Sequence, residues 1–209
     1  MKYLKYIWLA VILFPLMGMV SSCSDETTEE EEFENWQQKN DAYLNELAAN
    51  PRYKKILTYT KDATTPGLTA ADYIYVDVLE SGSGTETALF TDSVLYTYRG
   101  SLIPSKSYAD GYVFEQTFLG DFDWSTAGML KACASWNTYT SGTSLWTEGF
   151  CTALQNMKKG DHWKVYIPYQ LAYGEAGSSS IPGYSIIIFE MAVADVWHPG
   201  EIRPPFKSR

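Results

Sequence analysis

The sequence predicts an α+β domain in which strands gather about one short amphipathic helix, with a helical segment ahead of them. Three observations carry this reading. From Tyr73 onward, apolar residues recur with a period of two. One helical stripe, Phe150, Cys151, Leu154 and Met157, interrupts that pattern. Aromatic residues make up 15% of the chain, with sixteen Tyr and seven Trp, which suits half-buried strands better than a helical bundle. At 209 residues the chain is long enough for one such domain plus accessories.

The accessories come first. Lys2 and Lys5 precede an apolar run from Ile7 to Val20, the layout of a secretory signal. Pro15 and Gly18 break that run, so it makes a poor membrane span, which needs about twenty apolar residues. The run ends in Val20-Ser21-Ser22-Cys23, which resembles a lipobox. Residues 1–22 are therefore expected to be a lipoprotein signal peptide and Cys23 the lipidation site, anchoring the chain in a membrane of the cell envelope. Seven of the ten residues 25–34 are carboxylates, and their self-repulsion predicts an extended acidic tether over 23–34. The run also resembles an acidic signal that directs some lipoproteins to the outer face of the outer membrane. Tether alone and tether plus signal both remain open.

Residues 35–68 are expected to form a helical preamble. Phe33, Trp36, Tyr43, Leu44 and Leu47 fall near one helix face, and Asn50-Pro51 closes the helix. A second short helix is expected over Tyr53 to Tyr59. The main domain, 69–197, follows Pro66-Gly67. Strands are expected over Tyr73–Leu79, Ser93–Arg99, Tyr112–Phe118, His162–Ile167 and Tyr184–Trp197, with a turn at Ser81–Gly84. The single helix starts at Thr147, and Gly160 is placed to end it. Residues 198–209 form a tail.

Charge and chemistry narrow the function. The net charge is −9 and becomes −11 once Lys2 and Lys5 leave with residues 1–22. So acidic a chain argues against nucleic acid, whose phosphates require clustered Lys and Arg. There are only two histidines, His162 in a strand beside a Lys-Lys-Gly turn and His198 in the tail, which argues against a histidine-based triad or metal cluster. No phosphate-cradling Gly loop appears, so no cofactor or metal is expected. With Cys23 lipidated, Cys133 and Cys151 either pair in an oxidising compartment or stay apart as buried thiols. Any enzyme here works without an evident nucleophile, general base or cofactor.

From Tyr98 on, the domain is similar to the FKBP-type peptidyl-prolyl cis-trans isomerases, segment by segment and in the family's order. Tyr98-Arg99-Gly100-Ser101-Leu102 resembles the Tyr-x-Gly-x-Leu strand, and Asp110-Gly111-Tyr112-Val113-Phe114-Glu115 the Asp-Gly-x-x-Phe-Asp segment. Gly149-Phe150 and Leu154 to Gly160 follow the family's helix and its Met-x-x-Gly end. Ile167-Pro168, Leu171-Ala172-Tyr173-Gly174 and Ile181-Pro182 resemble a strand end and the loop over the pocket, and Ile187 to Met191 the closing strand.

The resemblance implies a twisted antiparallel sheet wrapped around one short helix. It also implies a substrate pocket walled by Tyr98, Phe114, Tyr173, Ile181 and Phe189, with Phe150 as its floor and Glu115 beside Phe114. Trp146 and Thr147 stand at the start of the helix, where the family places aliphatic residues. The Thr147 N–H and the Tyr173 hydroxyl are the implied donors to substrate carbonyls. Glu115 takes the place of the usual Asp, and Phe150 that of the usual Trp. Between Leu119 and Leu145 the chain is about a dozen residues longer than a minimal domain of the family, and this stretch is expected to form a loop with little regular structure near the pocket mouth. The implied activity is isomerisation of X-Pro bonds in exported or envelope proteins. The alternative is an FKBP-like module that binds proline-containing segments or a protein partner with little turnover.

Overall fold

The structure is a computed structural model, and it describes residues 32–134, 136–137 and 144–201. The expected signal peptide, Cys23, most of the acidic tether and residues 202–209 lie outside the described residues. Among the described residues, no helix is long and apolar enough to cross a membrane.

Helix α1 (Trp36–Ala49) buries Trp36, Asn40, Leu44 and Leu47 and stops at Asn50, whose extended backbone (φ −88°, ψ 115°) is the one Pro51 favours. The second helix expected over Tyr53 to Tyr59 is replaced by a strand, β1 (Lys54–Leu57), which pairs with the first half of β2 (Tyr73–Glu80). Only Ile56 of β1 is fully buried, so the segment has no helical stripe to bury, and the ladder bonds to β2 decide its conformation.

The remaining strands are β3 (Ser93–Leu102), β4 (Val113–Gln116), β5 (Leu130–Cys133), β6 (Trp136–Asn137), β7 (Ser144–Leu145), β8 (His162–Ile167) and β9 (Ile187–Trp197). Seven of them form one antiparallel sheet in the order β1-β2-β8-β9-β3-β4, with β5 also paired to β3. β5 and β4 share one edge of β3, at Ser93–Tyr96 and Arg99–Ser101 respectively. β6 and β7 form a separate short hairpin. The last strand begins at Ile187 rather than Tyr184, because Tyr184 has a positive φ of 62° and ends the preceding loop.

Helix α2 (Glu148–Asn156) starts from Thr147 and buries Phe150, Cys151, Ala153 and Leu154. It ends at Met157, ahead of Gly160. Gly160 (φ 88°) instead serves the next turn, where its N–H donates to Val193 O at 2.7 Å. Side chains alternate across a strand, so one face of the sheet, with Trp163, Val165, Ile167, Phe189, Met191 and Tyr98, meets α2. The opposite face carries Tyr166, whose ring lies against Tyr43 of α1 (6.2 Å) and Tyr53 (5.2 Å). A helix thus packs on each face, and the preamble shares the core of the main domain.

The long insert carries more regular structure than expected, in β5, β6 and β7. Its first part packs on the sheet face opposite α2: Phe122 lies 4.2 Å from the His162 ring, and the Trp124 indole donates to Glu80 at 3.0 Å. Its middle returns as β5. Residues 135 and 138–143 lie outside the described residues.

Candidate active site

The alternation of β3 sends Tyr96, Tyr98 and Gly100 to the α2 face. Tyr98 is 2% exposed and is met edge-to-face by Phe150 of α2 (5.8 Å, 78°) and Phe189 of β9 (5.7 Å, 73°). Phe150 and Phe189 themselves meet at 4.9 Å and 79°. Such pairings place the positive edge of one ring on the negative face of the next.

Gly100 makes room for the fourth ring. A Cβ there would stand 2.5 Å from Phe114 Cζ and 2.8 Å from Phe189 Cε1, so only glycine lets Phe114 reach Phe189 (6.0 Å, 80°). A bulge aims the same segment. Ser101 pairs with Val113 but Gly100 with Glu115, leaving Phe114 as the extra residue. Phe114 and Glu115 therefore both oppose Gly100, and both turn toward the rings.

The Glu115 carboxylate faces the Tyr98 phenol. Burial, followed by hydrogen bonding toward Glu115 and that carboxylate's charge, holds the Tyr98 phenol far above its ordinary pKa. Tyr173 is raised for the same leading reason, burial, with the Glu115 charge second. One carboxylate at the rim thus faces a set of tyrosines that stay protonated donors. Ile181 is 7% exposed and sits in the loop before β9, where Ser178 and Ile181 exchange backbone hydrogen bonds of 2.9 and 2.7 Å.

At the start of α2, the Trp146 indole lies over Phe150 (4.6 Å, 31°) and touches Tyr98 (6.3 Å). Thr147 is the N-cap, with extended backbone (φ −60°, ψ 151°). Sequence reasoning missed Tyr96. It is fully buried, stacks on Tyr98 (6.0 Å, 19°) and meets Trp146 and Phe150 edge-on. Its position two residues before Tyr98 was the signal that could have found it. Tyr96 Oη, Trp146 Nε1 and Thr147 Oγ1 are buried without a hydrogen-bond partner among the described residues.

The remaining candidate groups lie elsewhere. His162 Nε2 is 3.0 Å from Glu190 on the face away from α2, and His198 sits between Asp92 (2.7 Å) and Glu86 (3.2 Å). Cys133 Sγ donates to Phe90 O (3.4 Å) and Cys151 Sγ to Trp146 O (3.8 Å). Burial, with Cys133 nearby, pushes the Cys151 thiol up to about 12. Among the described residues, no group of three His, Cys, Asp or Glu is placed to hold a metal ion.

Comparison with known proteins agrees with this arrangement. Residues 84–194 match the family described as FKBP-type peptidyl-prolyl cis-trans isomerase. The FKBP-type peptidyl-prolyl cis-trans isomerase FkpA of Escherichia coli (strain K12) is 31% identical over 128 residues, 61% of this chain and 39% of that protein. Peptidyl-prolyl cis-trans isomerase Mip of Coxiella burnetii is 29% identical over 139 residues, 66% of this chain and 51% of that one. The chain thus spans well under two thirds of either relative.

Among solved structures, a peptidyl-prolyl cis-trans isomerase from Pseudomonas syringae pv. tomato shares the fold, with TM-score 0.53 and 22% identity over 79% of this chain and 96% of that one. The crystal structure of FkpA from Escherichia coli gives TM-score 0.52 and 26% identity over 77% and 58%. The match spans more than half of the chain and every ring of the cluster, so this protein belongs to the FKBP-type peptidyl-prolyl cis-trans isomerase family.

Proposed function

We propose that this protein is a lipid-anchored peptidyl-prolyl cis-trans isomerase acting on X-Pro bonds of exported or envelope proteins. The observation that carries the reading is the ring cluster of Tyr98, Phe114, Phe150 and Phe189, with the Glu115 carboxylate facing Tyr98 at its rim.

Rotation about a peptide bond costs about 18–20 kcal/mol, because resonance makes the bond partly double. That resonance separates charge, so water favours the planar amide and an apolar wall disfavours it. A dry aromatic cavity shaped for the twisted bond lowers the barrier without acid, base or metal. Proline suits this chemistry because its cis and trans forms are nearly balanced. Lowering the barrier by about 5 kcal/mol accelerates the step several thousandfold.

In this reading Phe114, Phe189 and Ile181 wall the proline ring and Phe150 floors it. The Thr147 N–H at the head of α2 and the Tyr173 hydroxyl hold the neighbouring carbonyls. Trp146, laid over Phe150, narrows the floor. Lipidation at Cys23 would place the domain at the outer membrane, with the acidic run as its tether.

The test is an isomerase assay on an X-Pro peptide. Turnover well above the uncatalysed rate supports the reading. Affinity for proline peptides without acceleration would make the protein a binding module instead.

A further inference from the structure

The matched region begins at residue 84, yet buried polar contacts reach the pocket loops from residues well before it. Asn40 of α1 is 1% exposed, and a buried amide is costly unless its hydrogen bonds are made. Its Nδ2 donates to Trp36 O at 2.8 Å. Its Oδ1 accepts from the Ile186 N–H at 2.7 Å, across 146 positions of sequence. One turn earlier the Trp36 indole donates to Ser185 Oγ at 2.8 Å, and that hydroxyl donates onward to Pro182 O at 2.6 Å. Trp36 and Ser185 are 5% and 2% exposed.

The loop they grasp carries Ile181 and is strained. Tyr184 holds a φ of 62°, which a bulky side chain rarely adopts, and its N–H is tied to Gly174 O at 3.0 Å. Such a backbone persists only where its surroundings over-determine it. Here the two residues following Tyr184 are the ones α1 holds. On the other side, Glu32 accepts from Ser107 through its N–H (3.0 Å) and hydroxyl (2.5 Å). Ser107 lies in the loop between β3 and β4, just ahead of Phe114. Hydrogen bonds from Ser105 and Ser107 keep the Glu32 carboxyl below its ordinary pKa.

We infer that residues 32–40 are a positioning element of the pocket. Asn40 and Trp36 hold the Ile181 loop, and Glu32 holds the loop leading to Phe114. Its kinetic consequence rests on the isomerase reading. Asn40 and Trp36 touch no substrate, so their effect passes through the loop. A loop that bounds the proline site in ground state and transition state alike affects KM more than kcat.

The test uses the full chain with Asn40→Leu, which removes the acceptor at similar volume, and with Trp36→Phe, which removes one donor and keeps the ring. Two quantities are read: amide hydrogen exchange at residues 184–187, and kcat and KM on an X-Pro peptide. The Ile186 amide should exchange about tenfold or more faster while Val165 and Met191 in mid-sheet keep their protection. KM should rise about threefold to tenfold with kcat within about twofold. Two folded variants with unchanged exchange would overturn the inference, and so would faster exchange with unchanged KM. If the wild type shows no turnover, the isomerase reading fails by itself. Affinity for a proline peptide then takes the place of KM, and the same pair of outcomes decides.

Discussion

Gly100→Ala tests the pocket with a single methyl group. The new Cβ would stand 2.5 and 2.7 Å from Phe114 Cζ and Cε2, and 2.8 Å from Phe189 Cε1. Carbon atoms rest about 3.5–4.0 Å apart, so one of the rings must retreat by about 1 Å. Phe189 is 5% exposed and enclosed by Tyr98, Phe114 and Phe150, whereas Phe114 lies on the short edge strand and is only half-buried. Phe114 therefore yields. Overpacking costs about 1–3 kcal/mol, and a ring that can swing outward puts the loss near about 1 kcal/mol. The rate is more sensitive, since a misplacement of about 1 Å at a reacting site costs up to about a hundredfold. Urea denaturation should show a small loss of stability, and an X-Pro peptide assay a fall in kcat/KM of about tenfold to a hundredfold. Adding Phe114→Leu should restore the stability but not the rate. A Gly100→Ala protein with wild-type turnover and stability would refute both the placement of Phe114 and its role.

Tyr173→Phe removes a hydrogen bond worth about 0.5–1.5 kcal/mol, so kcat/KM should fall about threefold to tenfold with the thermal midpoint unchanged. Phe122→Ala uncovers His162 on the face away from α2, so it should lower stability and leave kcat/KM intact; a changed substrate preference would return the insert to the pocket mouth. His198 has its pKa raised by the hydrogen bonds it donates to Glu86 and then Asp92. Its contribution to stability is therefore complete below its ordinary pKa of about 6.5 and is lost as pH rises through the raised value. The gap in thermal midpoint between wild type and His198→Asn should be widest at about pH 5–6 and close on the alkaline side, and a constant gap would contradict this. Cys23→Ala should abolish labelling by a fatty-acid analogue and leave an unprocessed precursor; normal labelling of the variant would remove the lipid anchor.

The legible part of this protein was local. β2, β3 and β8 lie close to where the apolar pattern placed them, β3 with one face buried along its whole length, and a helical stripe placed α2 within a residue of its observed start. Asn50-Pro51 stopped α1 because proline restricts the residue before it. Tyr98, Phe114, Phe150 and Phe189 could be named through their motifs, since each sits in a short run whose spacing shows in the chain.

Pairing between distant segments decided the rest. β1 is a strand because β2 offers it a ladder, which four residues with one buried side chain do not reveal. The path of the insert's first part follows Phe122 to His162, a contact between segments forty positions apart. Glu115 faces Tyr98 because a bulge adds one residue to β4, and an extra residue is visible only against its partner strand. Tyr96 shows no role in the chain, and only packing reveals that its ring completes the layer beneath Tyr98 and Trp146. Nothing local marks Asn40, and only the arrival of Ile186 from 146 positions away gives its buried Oδ1 a donor. Local chemistry chose the elements and the rings, and long-range hydrogen bonding and packing chose which of them meet.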